Sequence, residues 1–204
     1  MSKTFKALVL DADGVFVHSS FRFGKMLIEE RGFSREEMSE FWSGPFRKCM
    51  DGTLDLKEVL VPYLNKWGWE EGVDAFIDQW YEMEANIDEQ MIAFLEQTAS
   101  KGIPCYMASN QEKYRAAYFR EHFSFLKYFK KVFFSSELGH AKPAIVYYHL
   151  ITEDLSLERK DILFWDDTAR HVEAARKYGW QANKYTSFEP FSLAMEEYTY
   201  SGIA

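Results

Sequence analysis

Leu8-Val9-Leu10-Asp11-Ala12-Asp13-Gly14-Val15 is the stretch on which the fold turns. The run from Phe5 to Leu10 is short, apolar and partly β-branched, as a strand buried on both faces is. It ends in two carboxylates and a glycine. In open α/β sheets chemistry collects just beyond the carboxyl ends of the strands. Side chains alternate along a strand, so Asp11 and Asp13 lean to one side, and Gly14 permits a sharp exit. Taken alone, Asp-x-Asp-Gly is equally a solvated polar turn. A calcium loop would need further acids and a distal Glu at fixed spacing, and the sequence lacks them.

Beyond Val15 the pattern becomes helical. Segments near 21–31, 34–42, 55–67 and 70–84 carry apolar residues at three- and four-residue spacing. Gly32, Gly44-Pro45, Asp51-Gly52, Gly68 and Gly72 separate them. Trp42, Trp67, Trp69, Trp80, Phe41, Phe46, Phe76, Tyr63 and Tyr81 make this stretch aromatic-rich and predict a small bundle with its own core. From Asp88 onward strands and helices alternate. Strands are predicted at 103–108, 131–134, 161–165 and 181–185. Helices are predicted from an Asp88 cap to Gly102, over 112–122, from Pro143 as a first helical residue, from a Thr168 cap to Gly179, and over 188–199. The fold class is therefore α/β: a Rossmann-like parallel sheet sandwiched by helices, with a small α-helical cap inserted. The core domain comprises 1–15 and 88–204, and the cap 16–87.

The chain has 204 residues and a formal net charge of -8. An acidic surface argues against binding a nucleic-acid backbone, but leaves anionic small substrates open, because a metal or local cations invert the field inside one cleft. Cys49 and Cys105 lie far apart and form no metal-type pair. They read as reduced thiols of a cytoplasmic protein. No signal-type segment follows Met1, and no apolar run reaches membrane-spanning length. The oligomeric state is not legible.

Four groups gather at one end of the predicted sheet: Asp11 with Asp13, Ser109 with Asn110, Lys142 with Pro143, and Asp166 with Asp167. In this order and spacing they resemble the haloacid dehalogenase-like superfamily, most of whose members are phosphatases that pass through an aspartyl-phosphate. The resemblance covers nearly the whole chain, and the helical insertion lies where that family carries its small cap. It implies a magnesium-dependent phosphatase of a small phosphorylated metabolite. Direct Mg2+ ligands would be Asp11, the backbone carbonyl of Asp13, and Asp167. Asp166 would act through water or by hydrogen bonding.

Chemistry supports the same roles. A phosphomonoester is attacked in line with its leaving oxygen, and positioning and charge neutralisation provide most of the catalysis. A carboxylate such as Asp11 can form a phosphoryl intermediate. Asp13 can protonate the leaving alcohol and then deprotonate water. The Ser109 hydroxyl, beside Asn110 and the first amides of the following helix, would form an anion site, although an ordinary helix cap reads the same way. Lys142 would be a point charge shared by phosphate and carboxylates, against the alternative of a solvated lysine. Asp166 and Asp167 repel each other unless a cation joins them.

Weaker candidates are His18, which would touch substrate when the cap closes, and Arg47 and Lys48, which would meet a distal anion. Their bland alternatives are a loop histidine and the basic edge of a helix. His171 reads as a helix-surface histidine, and His122 and His149 carry no role. A phosphotransferase or sugar-phosphate mutase would use the same residues. The dehalogenase branch places no acid two residues after its nucleophile. A non-catalytic binding protein that keeps the fold would have lost a charged motif, and none is lost here.

Overall fold

The computed structural model describes residues 3–19 and 21–202. Three strands, β1 (Lys3–Phe5), β2 (Ala7–Leu10) and β3 (Val17–His18), precede five helices. These are α1 (Arg22–Glu29), α2 (Arg35–Ser43), α3 (Pro45–Met50), α4 (Leu56–Trp67) and α5 (Gly72–Glu84). Then follow β4 (Asn86–Ile87), α6 (Glu89–Ser100), β5 (Cys105–Ser109), α7 (Lys113–His122), β6 (Lys131–Phe134) and α8 (Ser135–Leu138). The chain continues through α9 (Ile145–Leu155), β7 (Ile162–Asp166), α10 (Ala169–Tyr178), β8 (Gln181–Lys184), α11 (Phe188–Met195) and β9 (Tyr198–Tyr200).

The central sheet is parallel, in the order β6-β5-β2-β7-β8. In register, Leu10 faces Met107 on β5 and Trp165 on β7. Alternation then sorts the side chains. Leu8, Leu10, Met107 and Trp165 join one buried cluster, with Met91 and Leu95 of α6 and Phe119 of α7. Val9, Ala108 and Phe164 join the other, with Tyr147, Tyr148 and Ile151 of α9 and Val172 of α10. Both faces are covered, which is why these strands read as unbroken apolar runs. β2 lies at the centre, so Asp11 emerges between the ends of β5 and β7.

Helices α1 to α5 enclose a third apolar cluster, rich in rings. Phe23 and Phe76 meet edge to face with centroids 4.9 Å apart, and Phe41 and Trp67 do so at 5.8 Å. Ser34 and Asp55 cap α2 and α4, and Gly68, with φ 75, stops α4 in the left-handed region. β3 and β4 pair antiparallel, Val17 with Ile87, where the chain leaves for this layer and returns.

Several expectations need correcting. Gly44-Pro45 is more than a break: Pro45 is the first residue of α3, a helix the periodicity does not reveal. The helix expected to start on Pro143 starts at Ile145 instead, with Ala144 extended as its N-cap, and the Lys142-Pro143 peptide is cis. Thr168 stands at the N-cap of α10, but its hydroxyl is donated to Asp167 Oδ1, so no side-chain cap forms. The last helix ends at Met195 rather than 199. Tyr198-Thr199-Tyr200 instead forms a strand parallel to β1.

Candidate active site

Asp11, Ser109 and Asp166 stand at the carboxyl ends of β2, β5 and β7, three neighbouring strands, and Lys142 enters from the loop between α8 and α9. Its ammonium donates to Asp11 Oδ1 at 2.8 Å, Asp166 Oδ2 at 2.6 Å and the Ala108 carbonyl at 2.8 Å. Lys142 is fully buried, and these three bonds use all three of its donors. It therefore holds the carboxylates together and has no spare proton for a phosphate, narrower than the shared point charge expected from sequence. Asn110 fixes it from behind: its amide donates to the Lys142 carbonyl at 2.9 Å and its carbonyl accepts from the Lys142 amide at 2.8 Å. The Asn110 carbonyl and one amide proton are thus committed to Lys142, and the second amide proton takes no bond from a described residue.

Asp166 is fully buried. It accepts from Lys142, from Thr168 N at 2.8 Å and from His171 Nδ1 at 3.1 Å. His171 is correspondingly a buried residue rather than the surface histidine expected, because the first turn of α10 folds it back over Asp166. Burial works against the Asp166 anion, but Lys142 and His171 outweigh it and hold its carboxyl well below the usual range. Asp11 goes the other way: burial and the Asp166 charge raise it well above its ordinary value despite Lys142. Burial lowers the Lys142 ammonium, and the two carboxylates more than restore it.

A cavity of about 490 Å³ opens over Asp11. Asp13, Ser109, Asp167, His18 and Arg115 are among the side chains lining it. Asp13 is held from two sides, by Arg115 Nη2 donating to Oδ1 at 2.7 Å and by Gln111 Nε2 donating to Oδ2 at 2.7 Å. Gln111 also donates to Ser109 Oγ at 3.0 Å, which leaves the Ser109 hydroxyl proton free to face an anion. Two of the helix amides expected beside Ser109 are already taken. α7 starts only at Lys113, and the Glu112 carboxylate covers the amides of Tyr114 and Arg115.

His18 lines the cavity with its imidazole Nε2 3.0 Å from Asp88 Oδ2. Arg47 lies in a neighbouring cavity with Trp42, Pro143 and Arg170. Lys48 is exposed on α3 and lines neither cavity. Sequence reasoning missed Arg115, Gln111 and Glu112. The available signal was their position in the connection from the Ser109 strand into its helix, at the site end of the sheet.

The donors suit a hard divalent cation. Asp11 Oδ1 takes Lys142 and the Ala12 amide, while Oδ2 takes no bond from a described residue. The Asp167 carboxylate lies directly over the Asp13-Gly14 turn, where a Cβ on Gly14 would collide with its Oδ2, and Gly14 itself has φ 76. Asp11, Asp166 and His171 also offer ligand atoms within 4.8 Å of one another. However, both oxygens of Asp166 already accept hydrogen bonds, so Asp11 and Asp167 are the carboxylates left to bind metal. Among the described residues, the four carboxylates of Asp11, Asp13, Asp166 and Asp167 face two cations, Lys142 and Arg115. A dication offsets this excess, and all-oxygen donors suit magnesium.

The sequence profile of the haloacid dehalogenase-like hydrolases matches residues 5–179. The chain belongs to that family. Its structure is similar to a HAD family enzyme of Bacteroides thetaiotaomicron solved with magnesium and inorganic phosphate as an aspartate-to-alanine variant. The two are 20% identical, with a TM-score of 0.79 over 93% of this chain and 98% of that one. A predicted HAD-like family hydrolase of Porphyromonas gingivalis is 17% identical, with a TM-score of 0.78 over 94% and 96%. The L-2-haloacid dehalogenase of Xanthobacter autotrophicus, solved with chloropropionic acid covalently bound, is 17% identical, with a TM-score of 0.65 over 94% and 82%. At such identities the likeness of this hydrolase to each is one of fold. No curated protein sequence matches it. Among the described residues, no helix is long and apolar enough to cross a membrane.

Proposed function

We propose that this hydrolase is a magnesium-dependent phosphatase of a small phosphorylated metabolite, working through an aspartyl-phosphate on Asp11. The observation that carries the reading is the Asp11–Asp13 pair: one buried carboxyl against Lys142 and a second, 41% exposed, lining the same cavity. A dehalogenase has no leaving alcohol to protonate and no use for the second. Magnesium held by Asp11, Asp167 and the Asp13 carbonyl would supply charge neutralisation for the phosphoryl group.

Each residue then has a defined task. Lys142 and the Ala12 amide fix the Asp11 carboxylate so that it meets phosphorus in line with the ester oxygen. As the Asp11 O–P bond forms and the P–O ester bond breaks, Asp13 gives its proton to the leaving alcohol. Ser109 donates its hydroxyl to a phosphoryl oxygen. Asp13 then takes a proton from water as that water attacks phosphorus, releasing inorganic phosphate and restoring the Asp11 carboxylate. Residues 16–87 would act as the cap that closes over the cavity, with His18 at its base.

Hydrolysis of p-nitrophenyl phosphate tests the reading, with magnesium, with a chelator, and in Asp11→Asn. Release of nitrophenol that needs magnesium and disappears in the variant supports it. Undiminished turnover in Asp11→Asn overturns the nucleophile.

A further inference from the structure

A second cavity, of about 340 Å³, adjoins the first and shares Ser19, Phe21 and Arg115 with it. Its other walls are unlike those of the Asp11 cavity: Phe23, Met38, Trp42 and Trp80 give it an apolar, ring-lined surface. Phe21 stands between the two. It is 78% exposed and has φ 53, a left-handed conformation that a bulky residue rarely adopts. Glu84 imposes that conformation. Its buried carboxylate accepts from the amides of Phe21 and Phe23, both at 3.1 Å, and from the Ser19 hydroxyl. Glu84 is the acid of the second cavity, and these three bonds occupy it. The aromatic side chain is therefore held out over the junction by a built device rather than left there by chance.

Arg115 is the cation at that junction. Its side chain is only 17% exposed, and of its five donors one, on Nη2, reaches Asp13. The others take no bond from a described residue, so the guanidinium keeps a free edge for an anion while it holds Asp13. Planar, bidentate carboxylate recognition is what that edge suits.

Resting on the phosphatase reading, we infer that the preferred substrate is a phosphomonoester whose alcohol half carries an aromatic ring, seated against Phe21, Trp42 and Trp80, and a carboxylate held by Arg115. The phosphate sits over Asp11, the ring passes under Phe21, and the carboxylate fixes the alcohol oxygen beside Asp13. Arg115 is the specificity-determining residue of this arrangement, and it positions Asp13 at the same time.

The test compares kcat/KM for three esters with magnesium present: benzyl phosphate, 4-carboxybenzyl phosphate and 4-phosphooxybutyrate. They supply the ring alone, ring with carboxylate, and carboxylate alone. The expected order puts 4-carboxybenzyl phosphate above each of the others by about tenfold or more, the worth of one charge-assisted hydrogen bond or one buried ring. In Arg115→Met the carboxylate advantage over benzyl phosphate vanishes, whatever the absolute rate. In Trp80→Leu the ring advantage over 4-phosphooxybutyrate shrinks while the carboxylate advantage stays. Ratios within about threefold in the wild type, or a carboxylate advantage that survives Arg115→Met, overturn the proposal and leave the phosphatase reading standing. Failure to hydrolyse any of the three or p-nitrophenyl phosphate overturns both.

Discussion

The two halves of this hydrolase keep order by opposite means. At the sheet end, Asp11, Lys142, Asp166 and His171 are buried polar groups locked by short, directional bonds. The buried cluster of the α1–α5 layer is apolar instead, with ring-on-ring contacts running through it. Charge pairs fix atoms to tenths of an ångström but fail badly if one partner is lost. Ring packing tolerates reshaping at a cost spread over many contacts. A hydrolase fold that must keep one reaction and vary its substrates gains from putting the first kind of order at the sheet end and the second in the α1–α5 layer.

That contrast can be broken by experiment. The largest effect is expected at Asp13: Asp13→Asn should lower kcat by about 10²–10⁴-fold with the melting temperature nearly unchanged, read by turnover and thermal melts side by side. Lys142→Met should cost about 3–5 kcal/mol in urea unfolding, because it strands two buried carboxylates. A loss below 1 kcal/mol would mean that the polar lock is not structural. Phe76→Ala in the ring cluster should cost a similar 3–5 kcal/mol, but as a cavity, so Phe76→Leu should recover most of it. No such rescue exists for Lys142→Met, and that asymmetry sharpens the comparison.

A smaller effect lies where the halves meet. Tyr81 of α5 donates its hydroxyl to Glu112 at the start of α7. Burial raises the Glu112 carboxyl above its ordinary 4.5, although Tyr81 and the two helix amides pull it down. The folded chain thus holds that proton more tightly than the unfolded chain. The corresponding stability is full below 4.5 and is lost as pH rises through the folded value. Wild type should therefore gain on Glu112→Gln as pH falls toward 4.5, measured by urea titrations at neutral and acid pH. The smallest effect is at the thiols. Burial pushes both Cys49 and Cys105 up to about 12, so the native protein should show no reaction with a thiol reagent until it is unfolded.

The sheet and its acids were legible because β2 is four apolar residues followed at once by Asp11, and such a run has few other readings. The α/β alternation located Ser109 and Asp166 in the same way. Arg115 was not legible. It sits in Lys113–His122, a helix without a clean apolar stripe, and its partner Asp13 is 102 residues away. His171 failed for the converse reason. Its helix has a polar look, yet the first turn lies against the buried Asp166, and only the tertiary position reveals that. β9 shows the same limit in the sheet, since Tyr198-Thr199-Tyr200 is a strand only because β1 lies beside it.

The β1–β9 pairing has a consequence in time. β2 finds its neighbour once β5 has been made, about halfway along the chain, but β1 has no partner in its two-stranded sheet until residues 198–200 exist. At about 5–20 residues per second, Lys3–Phe5 leaves the ribosome roughly 10–40 s before the strand that will pair with it. Of the described strands, the one synthesised first is the last to be closed, and its unpaired edge is the one a nascent-chain chaperone would meet.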